Sequence, residues 1–169
     1  MGSGSQAAKQ AADIVLENNS FNSLAEAIKL GRTVFRNYQK FPSFILTSNI
    51  GEVISMIIIS IMALFVSGLP GAIFAPAMIL FMNLVTDGLP SFGIAQESPE
   101  SDIMKEKPMD RESRVISRPM WIRAISIGAV MGVITAGLFV GFAPVIGIVQ
   151  ASTIAFNFIV ISQLINSLS

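Results

Sequence analysis

Four long apolar stretches divide the chain: residues 44–65, 72–89, 122–142 and 151–168. Each approaches the roughly 20 residues that a helix needs to cross a bilayer core, the second and fourth at the short end. Ahead of them the pattern changes to a helical one. A helix is predicted from near Asn22, with Ser23 and Glu26 as an N-terminal capping arrangement. Leu24, Ala27, Ile28, Val34 and Tyr38 form one apolar stripe, and Lys29, Arg32, Arg36 and Lys40 give a basic flank. No strong stop separates this segment from residues 44–65. One long helix is therefore expected, a stalk over residues 22–43 continuing into the first span, with a kink at Pro42 where a backbone donor is lost. Residues 1–21 are too few to bury a core. They read as a short Ala-rich helix over residues 6–13, a short buried strand at residues 14–16 and a turn at Asn18, Asn19 and Ser20, the tail of a larger domain.

Punctuation between the spans sharpens the outline. Ser67-Gly68-Leu69-Pro70-Gly71 predicts a tight turn. Gly88-Leu89-Pro90 is a helix-breaking run that ends the second span directly after Asp87, and interrupted backbone at membrane depth belongs where it lines a cavity or ion site. Residues 91–119 form a polar loop of balanced charge, read as a solvated surface. Trp121 and Arg123 fit an interfacial anchor before the third span. Gly128/Gly132 and Gly137/Gly141 are two G-x-x-x-G pairs that permit close helix contact. The fourth span runs to the last residue with no polar flank, as in a chain that is a piece of something longer.

Composition supports a membrane class: 52% of the 169 residues are hydrophobic and 13% charged, too apolar for a typical soluble domain. Net charge is zero, so no basic surface for nucleic acid exists. Cysteine and histidine are absent, which excludes disulfides, zinc sites, thiol nucleophiles and a histidine base. All Lys and Arg fall in residues 1–43 or 91–123, and the connections 66–71 and 143–150 are uncharged. The positive-inside rule then places the N-terminus, stalk and loop in the cytoplasm of a multi-pass protein.

Glu52 and Asp87 are the acids inside the apolar stretches. A carboxylate at the centre of a bilayer costs on the order of 2.5–3.5 kcal/mol on insertion scales, so retention of two asks for a use. On a helix, residues three or four apart share a face. Asn49 thus points with Glu52, and Asn83 and Thr86 with Asp87. The short turn makes the two helices antiparallel neighbours, so two carboxylates and three neutral oxygens converge at similar depth. Such hard oxygens suit calcium, which takes about 6–8 of them in irregular geometry; magnesium prefers to keep its waters. Protons are a second possible occupant, and protonated acids bonding between helices are the structural alternative. Ser162 and Gln163, polar at the same depth in the fourth span, are accessory candidates for either role. No catalytic or cofactor-binding residue is identified.

Ser48-Asn49-Ile50-Gly51-Glu52-Val53 and Asn83-Leu84-Val85-Thr86-Asp87-Gly88-Leu89-Pro90 resemble the fifth and sixth transmembrane helices of P-type cation ATPases, nearest to sarcoplasmic-reticulum-type calcium pumps and their bacterial relatives. Residues 8–16 look like the end of that family's phosphorylation domain, Gly31-Arg32 fits its stalk, and residues 98–104 resemble its loop after the sixth helix. The resemblance implies an all-α membrane protein: a four-helix transmembrane bundle (residues 44–169), a long cytoplasmic stalk helix (22–43) and a short remnant of an α/β phosphorylation domain (1–21). It implies Asn49, Glu52, Asn83, Thr86 and Asp87 as ligands of a transported Ca2+, and Gly128 and Gly132 as a face that packs on the fifth helix. Val160 stands where the family's eighth helix offers a carboxylate. The D-K-T-G-T phosphorylation motif, the nucleotide-binding and actuator domains and the first four helices lie outside this sequence. ATP and Mg2+ therefore belong to the complete pump, and the chain is expected to partner the lipid bilayer and that N-terminal portion. A non-enzymatic subunit or regulatory partner of a pump, or a gene fragment without function, is the alternative.

Overall fold

The computed structural model describes residues 2–17, 20–98, 102–105 and 115–168. The elements are α1 (Gln6–Ala11), α2 (Phe21–Phe65), α3 (Pro76–Phe81), a π-helical segment (Met82–Thr86), α4 (Gly88–Ala95), α5 (Arg118–Ile146) and α6 (Ile148–Ser167). No strand occurs among the described residues. Four helical units are long and apolar enough to cross a membrane: α2, the composite Pro76–Ala95, α5 and α6. The protein is an all-helical integral membrane protein, with its outward faces carrying exposed Val53, Ile57, Leu80, Leu84, Val130 and Val133.

The N-terminal piece departs from expectation. α1 forms behind Ser5, whose hydroxyl accepts from the Ala8 amide at 3.3 Å. Ile14 is 66% exposed and Val15 is exposed, so residues 14–16 are neither buried nor a strand. They have no neighbouring strand to satisfy a ladder; one backbone bond, Gly2 N to Leu16 O at 2.6 Å, ties the piece together. The predicted turn residues Asn18 and Asn19 lie outside the described residues.

α2 is the single long helix expected, 45 residues through Pro42 without interruption. At 1.5 Å per residue it is about 68 Å long, roughly twice a bilayer core. Its cap is Ser20, whose hydroxyl accepts from Asn22 N at 3.2 Å, instead of the Ser23 and Glu26 arrangement. The stalk is also turned from the predicted stripe. Ile28, Val34 and Tyr38 are exposed, while Thr33 and Asn37 are buried. The polar face is covered because it holds the segment after α4. Asn37 Nδ2 donates to Glu97 O at 2.9 Å, Arg32 Nη1 donates to Ile103 O at 2.9 Å, and Lys40 pairs with Glu97 at 2.7 Å. Unpaired loop carbonyls need donors, and the stalk supplies them. The described start of the charged loop is thus docked; residues 99–101 and 106–114 lie outside the described residues.

Glycine and proline set the other boundaries differently from the apolar runs. Gly68 (φ 92°) makes the expected turn. The second helix then starts at Pro76, whose fixed φ and missing N–H suit a first helical position. It runs on through Pro90 to Ala95, so Gly88-Leu89-Pro90 does not end it. α5 passes Pro144 and stops at Gly147 (φ 92°), and α6 begins at the next residue. A positive φ costs glycine little, so one residue replaces the predicted connection 143–150.

α5 lies against α2 through Gly128 and Gly132. A Cβ on Gly128 would sit 2.8 Å from Thr47 O, and one on Gly132 2.6 Å from Gly51 O. Gly137 and Gly141 have nothing within 4 Å among the described residues, so the second pair makes no helix contact. Toward the Gly68 turn the bundle is filled by Ile59, Ile73, Phe74, Met82, Phe139 and Ile159, with Phe156 set edge-on against Phe74 and Phe81 at 6.4 and 5.8 Å.

Candidate cation site

On the stalk side the buried face of α2 changes character. Thr47, Ser48, Glu52 and Ser55 are buried there, at the three- and four-residue spacing of one helix face. Thr47 and Ser55 spend their hydroxyl protons on their own helix, Thr47 Oγ1 to Ser43 O at 2.8 Å and Ser55 Oγ to Glu52 O at 2.7 Å. Ser48 does not, and its buried Oγ has no hydrogen-bond partner among the described residues.

The second helix brings its acid inward through an irregular turn. Asp87 N donates to Met82 O at 2.9 Å, a five-residue step. Pro90 has no N–H to give to the carbonyl of Thr86, four residues back, and its ring crowds that carbonyl. The ladder widens immediately before it, as π-bulges do at functional sites. Thr86 and Asp87 are consequently both buried, 2% and 4% exposed, whereas Asn83 is exposed. Ser91 Oγ then donates to the Asp87 carbonyl, which fastens the turn.

α6 closes the site. Gln163 is fully buried, and its Nε2 donates to Glu52 Oε1 at 2.7 Å. Asp87 is close enough to Glu52 for the two charges to interact. Ser48 lies beside Asp87 without completing a hydrogen bond to it. Five buried oxygens are left without partners among the described residues: Ser48 Oγ, Thr86 Oγ1, Asp87 Oδ1 and Oδ2, and Gln163 Oε1. Buried polar atoms are normally satisfied, so each such atom asks for an explanation.

Of the sequence candidates, Glu52, Thr86, Asp87 and Gln163 are therefore brought together. Asn49 is half-buried and gives its Nδ2 to Ile45 O at 2.9 Å; Asn83 gives its Nδ2 to Ile79 O at 2.9 Å. Both amides are tied to their own helices. Asn83 meets Asp87 only along an open groove of about 380 Å³, shared with Phe41, Ile45 and Phe92. Ser162 is half-buried beside Gln163 and takes no part in the bond to Glu52. Sequence reasoning passed over Ser48 as a donor; its signal was the four-residue spacing to Glu52.

No Lys or Arg is buried among the described residues, and no group of three or more Asp, Glu, His or Cys occurs among them. Two carboxylates thus stand without a basic partner, ringed by hydroxyl and amide oxygens. Taking an ionised carboxylate out of water costs several kcal/mol unless an opposite charge meets it (about this order in real proteins). Fold and site together define a polytopic membrane protein with two buried carboxylates and a set of unpartnered oxygens where three of its helices meet. A family model described as "Cation transporting ATPase, C-terminus" matches residues 71–169, and the chain belongs to that family. It is 40% identical over 137 residues, 81% of its length, to a calcium-transporting ATPase of Plasmodium falciparum. It is 37% identical over 165 residues, 96% of its length, to a calcium-transporting ATPase of Bacillus subtilis. An endoplasmic reticulum-type calcium-transporting ATPase 3 of Arabidopsis thaliana is 36% identical over 140 residues, 83% of the chain. The matched region spans only 11%, 18% and 13% of these relatives, respectively.

Proposed function

We propose that this chain is the cation-binding and translocation portion of a calcium-transporting P-type pump. Glu52, Thr86 and Asp87 form the centre of the site, Asn83 contributes from the groove it shares with Asp87, and Asn49 from the turn of α2 before Glu52. The observation that carries the reading is the pair of buried carboxylates without a basic partner, beside unpaired oxygens. A divalent cation neutralises both acids and takes several oxygens at once. The names of the relatives support calcium as the ion.

Transport needs the site to open alternately to the two sides. The geometry offers a lever: α2 is continuous from Phe21 to Phe65, so displacement of the stalk moves Glu52, while Asp87 rides on a separate helix with a π turn beneath it. The hydrogen bonds from Arg32 and Asn37 make the loop after α4 move with the stalk. ATP and Mg2+ act in the remaining, catalytic portion of the pump, which partners this chain. The positive-inside rule puts the N-terminus and the stalk in the cytoplasm. Protons occupy the carboxylates when the cation has left.

The test is reconstitution of the chain with the catalytic portion in lipid vesicles, scoring calcium-dependent phosphorylation and calcium uptake. Glu52→Gln and Asp87→Asn each abolish uptake if the assignment is right. Unchanged uptake in both variants would remove it.

A further inference from the structure

On the stalk side of the carboxylates, a cavity of about 210 Å³ lies where α2 meets the start of α5, the end of α6 and the end of α4. Its polar lining is Lys40, Ser43, Glu97, Arg123, Asn166 and Ser167, and Phe44, Met120 and Leu168 give it an apolar wall. Leu168 is 90% exposed, so that wall reaches the outer surface of the bundle. Lys40 is the last cation before the first span, and Arg123 the last before the third. The cavity therefore sits at the level where the apolar spans begin, with Trp121 exposed beside it on α5. Lys40 holds the Glu97 carboxylate at 2.7 Å. These two charges offset each other, and Arg123 leaves the lining positive. Two cations in one small cavity repel a metal ion and attract an anion. A guanidinium grips phosphate through two parallel N–H donors, and the Asn166 amide and the two serine hydroxyls are further donors. Size narrows the choice. Sites for drug-sized ligands run to about 300–1,000 Å³, so this cavity suits a compact anionic group whose remainder lies outside it.

We propose that this cavity binds the headgroup of an anionic phospholipid. Arg123 takes the phosphate, Asn166 and the serine hydroxyls take the remaining headgroup oxygens, and the acyl chains lie along Met120 and Leu168. The single excess positive charge of the lining matches the single negative charge of a lipid such as phosphatidylglycerol. The ammonium of a zwitterionic headgroup would instead compete with Lys40 for Glu97. On the orientation proposed above, the site faces the cytoplasmic leaflet, whose surface anionic lipids make negative. The inference rests on membrane embedding alone and holds whichever ion Glu52 and Asp87 take.

The test uses the full chain in lipid vesicles and the fluorescence of Trp121, its one tryptophan. Phosphatidylglycerol with brominated acyl chains, at about one-tenth of a phosphatidylcholine host, should quench as if enriched about fivefold over its share of the bilayer. Brominated phosphatidylcholine at the same share should quench only in proportion to it. Equal quenching by the two lipids overturns the proposal, and this comparison needs no variant to fold. Arg123→Gln should remove the enrichment. Arg123→Lys should keep part of it, because the charge stays and the paired donors are lost. Arg118→Gln, on the same helix but outside the cavity, should leave it unchanged. Enrichment that survives Arg123→Gln, or that falls equally in Arg118→Gln, marks diffuse attraction to a basic surface and overturns the site. Millimolar inorganic phosphate should not relieve the quenching; if it does, free phosphate is the occupant and the lipid assignment is overturned.

Discussion

The two halves of the bundle are built from the same helices and solve opposite problems. Toward the Gly68 turn, α2, α5 and α6 meet through Ile59, Phe139 and Ile159, each 0% exposed, with Ala151 and Ala155 letting α6 approach. Toward the stalk, the same faces carry Ser48, Glu52, Thr86, Asp87 and Gln163. The apolar half leaves no buried polar side-chain atom open among the described residues. The polar half leaves five buried oxygens without a partner among the described residues. A membrane protein gains little from moving apolar groups between lipid and core, so close contact holds the apolar half. The polar half is tolerated because it is useful, at the cost that buried polar groups carry. The proposed ion site draws on this contrast, an apolar half beside one with open oxygens.

The sharpest way to break this comparison is to exchange roles. Asp87→Asn should abolish calcium binding, a loss of about 100-fold or more, while leaving the unfolding midpoint in detergent unchanged or raised, because a buried charge is removed. Phe139→Ala should do the reverse, lowering unfolding free energy by ~3–5 kcal/mol with little change in calcium affinity, as read by denaturant titration and equilibrium binding. If both variants affect binding and stability alike, the two halves are one cooperative unit and the division fails.

The seam between the halves comes next. Gly132→Ala puts a methyl group 2.6 Å from Gly51 O, and overpacking of this kind costs ~1–3 kcal/mol. Gly137→Ala, with open space around it, should be neutral or slightly stabilising (about 0.5–1 kcal/mol from helix propensity). Thermal unfolding of the pair separates a contact glycine from an idle one. The smallest expected effect is at the stalk. Asn37→Ala removes the 2.9 Å bond to Glu97 O at about 1 kcal/mol. It should speed proteolysis of the loop after α4 without altering calcium affinity.

Much of the outline was legible because membranes impose a coarse rule. A helix that crosses lipid must satisfy its own backbone, so the four spans and the continuous stalk followed from apolar length and the lack of a stop. Glu52 and Asp87 were legible for the same reason, as costly exceptions to it. The register within the second helix was not. Equal spacing put Asn83, Thr86 and Asp87 on one face, and the π turn at Met82–Thr86 parted them. The stalk carries the predicted apolar stripe, yet Thr33 and Asn37 are the covered residues, since Asn37 gives its amide to the loop carbonyl of Glu97. The two G-x-x-x-G pairs look alike on paper, and only the place where α5 crosses α2 distinguishes them.

What the sequence by itself determined is the class: helices of membrane length, two acids within them and a motif shared with cation pumps. These follow from local chemistry, because apolar length and charge act on each segment separately. Only the tertiary structure decided that Gln163 meets Glu52 across 111 residues of chain, that Ser48 sits beside Asp87, and which oxygens are left open. Those choices depend on how three helices turn about their axes. Close contact at Gly128 and Gly132, together with the widened turn before Asp87, sets that rotation; no spacing along one helix encodes it.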